Sequence, residues 1–271
     1  MERTVLITGC SSGIGRATAE AYLAEEWTVY ATARDLADVE DLADAGAETR
    51  ELDVTKPAQC RNVVEDVVDE HGRLDVLVNN AGYAQFGPLE DVPTREIHRQ
   101  FDVNVYGPHR LIRAALPHMR ETADGTIVNV SSVTGRIATP GMGVYAASKF
   151  AVEAMSDALR GEVEEFGVDV VAVEPGPVST RFEERAKEEV QSLDASGAYD
   201  TLYDLYDDYS AISGVGAVEP EAVADVVLEA GVSTDPEPRY VVGPVAEYAS
   251  LARFVPDRWR DAAYRLLRRL P

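Results

Sequence analysis

Short apolar runs alternate with longer helix-like stretches through the first two thirds of this chain. The apolar runs are "TVLIT" (4–8), "WTVYATA" (27–33), "ETRELDV" (48–54), "DVLVNN" (75–80), "GTIVNV" (125–130) and "VDVVAVEP" (168–175). The helical patterns between them include residues 13–25, 57–71, 94–120 and 144–166. Strict alternation of strand and helix needs right-handed crossovers, and it produces a parallel sheet that helices cover on both faces.

The sequence contains no linker rich in Pro, Gly or Ser, no internal repeat and no low-complexity tract. Although the length alone allows one or two domains, we therefore predict a single α/β domain over residues 1–271. Its expected class is a doubly wound, Rossmann-type parallel sheet in three α/β/α layers. A further helix is expected near Glu221, and "YVV" (240–242) fits a last strand.

Two late segments depart from the alternation. The acidic segment 181–217 is expected to be an insertion near the substrate, and its tyrosines share one helical face by their spacing: Tyr199, Tyr203, Tyr206 and Tyr209. That face either anchors a surface helix or forms an aromatic wall or lid over a cleft. Residues 256–270 predict a basic amphipathic C-terminal helix, which packs on its own acidic domain or another subunit rather than on a membrane. Its arginines are Arg258, Arg260, Arg265, Arg268 and Arg269.

Acidic residues dominate the charge of the chain. The 48 Asp and Glu residues against 25 Lys and Arg residues give a net charge of -23. This argues against nucleic acid and anionic membranes as partners, because phosphate groups require a basic surface. The excess is typical of a halophilic protein from a salty cytoplasm, where high ionic strength screens self-repulsion. The alternative is an ordinary acidic protein without a salt requirement.

The cysteine content and the hydropathy of the chain indicate the cellular compartment in which the protein is expected. Cys10 and Cys60 are too few for a disulfide framework, so both are expected to be reduced. The first apolar run lacks the longer core of a signal peptide, and no later run is long enough to span a membrane. We expect a soluble, cytoplasmic protein with no metal site.

A glycine-rich turn follows the first predicted strand and leads into a helix. In "TGCSSGIG" we call residues 9–15 the glycine turn, with glycines at Gly9, Gly13 and Gly15. A tight turn at a helix N-terminus lets backbone N–H groups approach a pyrophosphate. The spacing departs from G-x-G-x-x-G, but the position between strand and helix supports a dinucleotide site.

The end of the second strand bears on which nicotinamide cofactor binds. Counting about 20 residues from Gly15 reaches Asp35, an acid that would hydrogen-bond the ribose of NAD. However, the second strand is predicted to end near Ala33, and Arg34 follows. A small residue followed by arginine leaves room for the 2′-phosphate of NADP and provides a charged partner for it.

We therefore predict NADP, with NAD less favoured. The hydroxyl of Ser11 or Ser12 could add a donor to the same phosphate. The alternative is that Arg34 only pairs with Asp35 or Asp38 at the surface.

The stretch "GVYAASKFAVEAM" holds one of only three lysines in the chain, Lys56, Lys149 and Lys187. Tyr145 and Lys149 are four residues apart in a helical pattern, so they share one face. A nearby ammonium lowers the pKa of a tyrosine, and the pair can then act as a general acid or base. The alternative is a surface lysine beside a core tyrosine.

These motifs together resemble the short-chain dehydrogenase/reductase family, single-domain type, over about residues 4–180. They are "TGCSSGIG", "NNAG" (79–82), Ser132 placed 13 residues before Tyr145, and "PGPVST" (175–180). With "VYATARDL", they are most similar to the 17-beta-hydroxysteroid and retinol dehydrogenases.

The resemblance implies four catalytic roles. Tyr145 is the acid/base, Lys149 lowers its pKa and orients the ribose, and Ser132 polarises the carbonyl. Ser131 is the neighbouring candidate for the serine. Asn104 matches an asparagine that holds a water for a proton relay; its alternative is a polar residue that bends a helix.

The resemblance also extends the cofactor site. It places Asp53 at the adenine with Val54 beside it, and it places the Val178 backbone and the Thr180 hydroxyl at the nicotinamide carboxamide. Asn79 could only brace the central strand. The full expected set is Gly9, Ser11, Ser12, Gly13, Ile14, Gly15, Arg34, Asp53, Val54, Asn80, Ala81, Gly82, Tyr145, Lys149, Pro175, Gly176, Val178 and Thr180.

The implied function is hydride transfer between NADP(H) and a secondary alcohol or its ketone or aldehyde. A rival is a regulator that senses NADP on the same fold, which would be expected to lack the Tyr–Lys pair; an epimerase or dehydratase usually needs a longer chain. The partners implied are a small-molecule substrate and further copies of the chain. A homodimer or homotetramer is expected through helices 94–120 and 144–166.

Overall fold

Within residues 3–204 and 216–267, which the computed structural model describes, seven parallel strands form one sheet. The strands are β1 (Thr4–Thr8), β2 (Thr28–Ala33), β3 (Glu48–Glu51), β4 (Val76–Asn79), β5 (Gly125–Val130), β6 (Val168–Pro175) and β7 (Arg239–Val242). Their order is β3-β2-β1-β4-β5-β6-β7, and every neighbouring pair is parallel. The predicted single, doubly wound α/β domain is confirmed. The strand order reverses between β1 and β4, where such folds bind ligands.

Helices cover both faces of the sheet. They are α1 (Gly13–Ala24), α2 (Glu40–Asp44), α3 (Pro57–His71), α4 (Thr94–Phe101), α5 (Gly107–Thr122), α6 (Gly143–Val163), α7 (Phe182–Gln191), α8 (described over residues 200–204), α9 (Pro220–Val232), α10 (Pro244–Leu251) and α11 (Asp257–Leu267). Helix α1 packs on α9, and α3 packs on α5. Val5 and Ile7 belong to one buried cluster and Leu6 to another, because successive side chains of a strand point to opposite faces. A strand buried on both sides therefore reads as a continuous apolar run.

The prediction of one helix over residues 94–120 is wrong. Helix α4 ends at Phe101, a π-helical turn covers Asp102–Tyr106, and α5 begins at Gly107. The N–H of Gly107 donates to the carbonyl of Asp102, five residues back. Pro108 has no N–H to donate to the carbonyl of Asn104, its partner in a regular α-helix, so the chain opens here.

One smaller expectation also needs correction at the carboxyl end of β3. The strand ends at Glu51, three residues earlier than predicted. After the strand, Thr55 donates from its N–H and its hydroxyl to the Asp53 carboxylate, at 2.9 Å and 2.7 Å. Helix α3 then begins at Pro57.

The predicted tyrosine face is described only in part. The hydroxyl of Tyr199, just before α8, donates to Glu90 at 2.6 Å, and that of Tyr203 donates to Asp91 at 2.9 Å. The other two members, Tyr206 and Tyr209, lie outside the described residues, as do Arg268 and Arg269 of the predicted C-terminal helix.

Both cysteines are buried and free. Among the described residues, no helix is long and apolar enough to cross a membrane, and no group of His, Cys, Asp or Glu is arranged to hold a metal ion.

Candidate active site

The glycine turn lies against two other loops at the carboxyl edge of the sheet. Gly9 and Gly13 have φ values of +76° and +59°, which only glycine adopts without strain. A Cβ atom on Gly9 would lie 2.9 Å from the Cα atom of Ala81, and one on Gly13 would lie 2.9 Å from Cγ2 of Thr180. The backbone of the turn therefore fits only because it carries no side chains.

The turn is fastened to the end of β4 by hydrogen bonds to the backbone. The side-chain amide of Asn80 donates to the carbonyls of Thr8 and Gly9, at 2.8 Å and 3.2 Å. The Thr8 hydroxyl accepts from the N–H groups of Asn80 and Ala81, at 3.0 Å and 2.9 Å. A side chain on Gly15 would collide with the Asn80 amide and the Gly9 carbonyl. These contacts hold the turn at the point where the strand order reverses.

The N-terminus of α1 has the properties of an anion site. Ser12 precedes the helix in an extended conformation, and within the described chain its side chain makes no capping hydrogen bond. The first N–H groups of α1 thus remain available for a phosphate. Ser11, Ser12 and Ile14 are half-buried at this point, and Ile14 packs against the core.

The end of β2 supports the distinction made from the sequence between Arg34 and Asp35. The strand ends at Ala33, as expected, and the Asp35 carboxylate accepts a hydrogen bond from the N–H of Ala37 at 3.0 Å. Asp35 is therefore used as a local helix cap. Arg34 is exposed, and in the described part of the chain it forms no ion pair with Asp35 or Asp38.

Asp53 and Val54 follow the end of β3, and the charge of Arg34 reaches Asp53. Burial opposes ionisation of Asp53, but the hydrogen bonds from Thr55 and the charges of Lys56 and Arg34 hold its pKa below its usual value. Val54 is buried against Gly107, where a Cβ atom would lie 2.8 Å from its Cγ2.

The loop after β6 is anchored on three sides. The N–H of Gly176, which follows Pro175, donates to the carbonyl of Val242 at 3.0 Å, and Val178 forms an isolated parallel bridge with Val218. The Thr180 hydroxyl accepts from the N–H of Phe182 at 3.2 Å, at the start of α7. The loop is thus fixed between β7 and the glycine turn.

Ser132, Tyr145 and Lys149 are buried together beside the carboxyl ends of β5 and β6. Ser132 follows β5, and its hydroxyl donates to the carbonyl of Pro175 at 3.5 Å. Tyr145 and Lys149 lie one turn apart on α6. The Lys149 ammonium donates to the carbonyl of Val130 at 2.8 Å and lies 5.8 Å from the centre of the Tyr145 ring. Each of the three residues is less than a tenth exposed.

Burial shifts the pKa values of the tyrosine and the lysine in opposite directions. It raises the pKa of Tyr145 to about 12, and interactions with the hydroxyls of Ser132 and Thr134 act against this. Burial lowers the pKa of Lys149 to about 8, and the negative charge of Glu153 acts against this. Because burial disfavours the phenolate, a positive charge near the ring is needed to stabilise it.

Asn104 lies in the π-helical turn and connects the loop after β4 to α6. Its Oδ1 accepts from the N–H of Tyr83 at 3.2 Å, and its Nδ2 donates to the carbonyl of Tyr83 at 3.0 Å. The same Nδ2 donates to the Ser148 hydroxyl at 3.2 Å, which itself donates to the carbonyl of Tyr145 at 2.7 Å. A side chain on Gly82 would contact Oδ1 of Asn104.

Asn79 braces the centre of the sheet, as the sequence allowed. Its side chain donates to Oδ1 of Asn129 at 2.9 Å, and Asn129 donates to the hydroxyl of Ser156 at 2.9 Å.

Several residues at the site were missed in the sequence. The rings of Phe86 and Phe182 pack on Tyr145, with ring centres 5.6 Å and 5.7 Å away, and Ala186 and Val190 of α7 complete this apolar cluster. Phe182 opens the segment 181–217, but nothing in the sequence pairs it with Tyr145. Glu153 continues the four-residue spacing of Tyr145 and Lys149, a signal that was available.

The sequence model of the family described as short chain dehydrogenase matches residues 3–191, more than half of the chain. The chain belongs to the short-chain dehydrogenase/reductase family. Members are NAD(P)-dependent dehydrogenases, so the protein is an NAD(P)-dependent oxidoreductase acting on CH–OH groups. The family resemblance predicted from the motifs is confirmed.

Relatives match nearly the whole chain. The uncharacterized oxidoreductase YbbO of Escherichia coli strain K12 is 36% identical over 263 residues, which are 96% of this chain and 93% of the relative. The NADPH-dependent 3-dehydrocapnine reductase of Ornithobacterium rhinotracheale is 34% identical over 97% of this chain and 96% of its own. Retinol dehydrogenase 8 of Bos taurus is 39% identical over 84% of this chain and 77% of its own.

Solved structures share the fold. A short-chain dehydrogenase from Streptomyces avermitilis superimposes with a TM-score of 0.83 and 34% identity, covering 99% of this chain and 98% of that one. ElxO with bound NADP has a TM-score of 0.73 and 27% identity, covering 89% and 96%. A Burkholderia phymatum member with bound NAD has a TM-score of 0.78 and 25% identity, covering 98% and 95%. Family neighbours thus include both NADP-bound and NAD-bound proteins.

Proposed function

We propose that the protein transfers a hydride reversibly between NADP(H) and a secondary alcohol or its ketone or aldehyde. The observation that carries this proposal is the burial of Ser132, Tyr145 and Lys149 together, beside a loop that also contacts the glycine turn. This arrangement supports a proton donor and a charged group acting beside the proposed dinucleotide site.

The residues present fit a bound dinucleotide. The side-chain-free glycine turn and the free N–H groups of α1 suit the pyrophosphate. Asp53 and Val54 would border the adenine of the cofactor. The segment from Asn80 to Gly82 would line the middle of the cofactor, and the loop from Pro175 to Thr180 would hold the nicotinamide. When bound, the nicotinamide supplies or accepts the hydride.

In this proposal, the side chains of Tyr145, Ser132 and Lys149 carry out the proton transfer. In the reductive direction, the Tyr145 hydroxyl donates its proton to the carbonyl oxygen, and the Ser132 hydroxyl donates a hydrogen bond to the same oxygen. The Lys149 ammonium stabilises the phenolate that remains, and it would hold the ribose hydroxyls of a bound cofactor. In the oxidative direction, the phenolate accepts the proton of the alcohol.

Asn104 is proposed to support this proton transfer. Its side chain joins the Tyr83 loop to α6. Its carbonyl lacks the usual helical N–H donor, because residue 108 is a proline. A water held at that carbonyl could relay protons behind Lys149.

NADP is proposed over NAD because of the end of β2. Arg34 is exposed and unpaired with its acidic neighbours in the described residues, whereas Asp35 caps a helical turn. A guanidinium here can hydrogen-bond a 2′-phosphate. The NADPH-dependent relative and the NADP-bound neighbour support this choice.

The substrate is proposed to carry an apolar group beside the reacting carbon. Phe86 and Phe182 flank Tyr145, and Ala186 and Val190 lie behind them. An apolar surface at this place favours a hydrocarbon substituent over a polar one.

We further propose a homodimer or homotetramer in a salty cytoplasm. Tyr106 and Phe150 are exposed on the elements expected to pair, at 47% and 43%, and the net charge of -23 would be screened by salt.

The cofactor proposal is tested by fluorescence titration of NADPH and NADH in molar salt with wild type, Arg34→Ala and Arg61→Ala. Arg61 is an exposed arginine of α3 outside the site. Loss of a charged hydrogen bond should weaken NADPH binding roughly 10- to 100-fold in Arg34→Ala only, with NADH unaffected. Equal binding of NADH by the wild type, unchanged in Arg34→Ala, would contradict the proposal.

The catalytic proposal is tested with Tyr145→Phe against Tyr248→Phe, an exposed tyrosine on α10. Carbonyl reduction with NADPH should fall roughly 10²- to 10⁴-fold in Tyr145→Phe, because the proton donor is lost, while NADPH binding stays intact. Binding of NADPH with no turnover of any carbonyl in the wild type would instead favour the sensing regulator.

A further inference from the structure

Four charged side chains meet on the side of α6 that faces β6 and β7. Glu153 lies on α6, Glu174 on β6, Arg136 just after β5, and Arg239 at the start of β7. Arg239 Nε lies 3.1 Å from Glu153 Oε2 and 3.2 Å from Glu174 Oε1, and Arg136 Nη1 lies 3.8 Å and 3.6 Å from the same two atoms. We call these four residues the charge cluster.

The charge cluster adjoins the reacting groups through α6 and β6. Tyr145, Lys149 and Glu153 follow one another at intervals of four residues, so they share one helical face. The Glu153 side chain packs against Gly135, where a Cβ atom would lie 2.9 Å from its Cγ. Glu174 directly precedes Pro175, whose carbonyl accepts from the Ser132 hydroxyl.

Two carboxylates at these positions are costly for folding. Glu153 is 5% exposed and Glu174 is fully buried. Within the described chain, Oε1 of Glu153 and both oxygens of Glu174 lack a hydrogen-bond partner of good geometry. Buried ion pairs of this kind are often replaceable by apolar residues without loss of stability. A contribution to the reaction explains the arrangement better than stability does.

The carboxylates of Glu153 and Glu174 face the same two guanidinium groups. Burial and the charge of Glu153 raise the pKa of Glu174 to about 7. Arg136 and Arg239 face Glu153 from the other elements, and Asp157, the next acid on α6, pairs with Arg239 and with Arg160. The Glu153 carboxylate thus faces two guanidinium groups, and Glu153 lies on α6 one turn from Lys149.

We propose that Glu153 is a positioning residue, which rests on the function proposed above: its carboxylate keeps the buried Lys149 ammonium charged, and Lys149 in turn stabilises the Tyr145 phenolate. In the described residues Lys149 makes no ion pair of its own and donates only to the carbonyl of Val130. Burial lowers the pKa of Lys149, and the negative charge of Glu153 raises it.

The charge state of Lys149 can be measured directly because the chain has only three lysines. In protein labelled with ¹³C at lysine Cε, Lys149 is assigned by the signal missing in Lys149→Met, and its pKa is read from an NMR titration. The matched variants are Glu153→Gln and Glu162→Gln, which remove an acid from the buried and the exposed side of the same helix.

We expect the pKa of Lys149 to fall by about one unit in Glu153→Gln and to stay unchanged in Glu162→Gln, because an opposite charge nearby favours the charged form. Glu153→Asp, which keeps the charge, should retain most of the wild-type value. A folded Glu153→Gln variant in which Lys149 titrates as in the wild type would overturn the proposal.

Glu153→Gln leaves two guanidinium groups short of a partner, so it could fail to fold. The double variant Glu153→Gln/Arg239→Gln removes one charge of each sign and serves in that event. The pKa of Lys149 is expected to be lower in the double variant than in Arg239→Gln alone, because only the double variant lacks the Glu153 charge. Equal values in these two variants overturn the proposal.

A kinetic measurement separates this role from a purely structural one. Near pH 8, kcat for alcohol oxidation should fall roughly three- to tenfold in Glu153→Gln, since one pKa unit corresponds to a tenfold change in the charged fraction, while KM stays unchanged. A rise in KM with kcat unchanged would contradict the proposal. Absence of turnover in the wild type would refute the proposed function, while the NMR titration would still decide whether Glu153 controls Lys149.

Discussion

The glycine turn and the segment from residue 181 to 204 both border the candidate site, yet they are held in place by different means. The turn is fixed through the backbone: the Asn80 amide bonds the carbonyls of Thr8 and Gly9, and close approach excludes any side chain at Gly15. The segment 181–204 is fixed through side chains, by Phe182 against Tyr145 and by the hydrogen bonds of Tyr199 and Tyr203 to carboxylates.

This difference shows which part of the function is general to the family. A site made by backbone tolerates few residue types, because a side chain at such a position collides with its neighbours. A site made by packed side chains can be rebuilt with other apolar residues. The cofactor can therefore be inferred from the family, whereas the substrate depends on the residues of this chain.

The largest effect is expected in the glycine turn, where Gly9→Val is compared with Gly72→Val. The two glycines have φ values of +76° and +75°, but a Cβ atom would lie 2.9 Å from Ala81 at Gly9 and meets nothing within 4 Å at Gly72. Both variants should lose about 1–3 kcal/mol of unfolding free energy through backbone strain. Only Gly9→Val should also lose NADPH binding, by at least roughly 100-fold.

Urea denaturation and NADPH titration check this expectation. If Gly72→Val also loses cofactor binding, the effect comes from general destabilisation, and the backbone of the turn is not the specific cause.

An effect of intermediate size on stability is expected from Lys149→Met, a change between the glycine turn and the segment 181–204. Burial lowers the pKa of Lys149 to about 8, below the roughly 10.4 of an unfolded chain. The folded protein therefore bears a cost while the lysine is charged, and this cost disappears as the pH rises from about 8 to about 10.4. The difference of about 2.4 pKa units corresponds to about 3 kcal/mol, and loss of the hydrogen bond to the Val130 carbonyl offsets about 1 kcal/mol of it. Lys149→Met should therefore abolish activity yet stabilise the protein by roughly 2 kcal/mol near pH 7.

The gain should shrink in denaturation experiments near pH 10, and Lys56→Met, which alters an exposed lysine, should show no such pH dependence. A stabilisation that is equal at both pH values would mean that burial of the charge is not its source.

The smallest effect is expected in the segment 181–204, where Tyr203→Phe is compared with Tyr199→Phe. Asp91 is buried and accepts the Tyr203 hydroxyl at 2.9 Å, whereas the bond between Tyr199 and Glu90 is exposed. Loss of the donor to a buried carboxylate should cost about 1 kcal/mol, and loss of the exposed bond less than about 0.5 kcal/mol.

KM for the carbonyl substrate should rise only in Tyr203→Phe, since Tyr203 also packs against the apolar cluster around Tyr145. Identical unfolding curves and KM values for the two variants would show that the segment 181–204 is held by its apolar contacts alone.

Much of the fold and part of the site could be predicted because the relevant rules are local. Continuous apolar runs indicated buried parallel strands. The expected end of the second strand at Ala33 indicated that Arg34 is the first residue after β2. The break in the helix at Asn104 was missed although Pro108 is visible in the sequence, since a proline in the first turn of a helix is also compatible with a regular start.

The sequence by itself determined the α/β class, the glycine turn, and the pairing of Tyr145 with Lys149, because strand alternation and four-residue helical spacing depend only on neighbours along the chain. Only the tertiary structure decided that Phe86 and Phe182 flank Tyr145 and that Glu153 meets Glu174, Arg136 and Arg239. These groups come from elements far apart in sequence. Whether such charges are compensated in the interior depends on which elements the packed sheet brings together, a property that no local pattern contains.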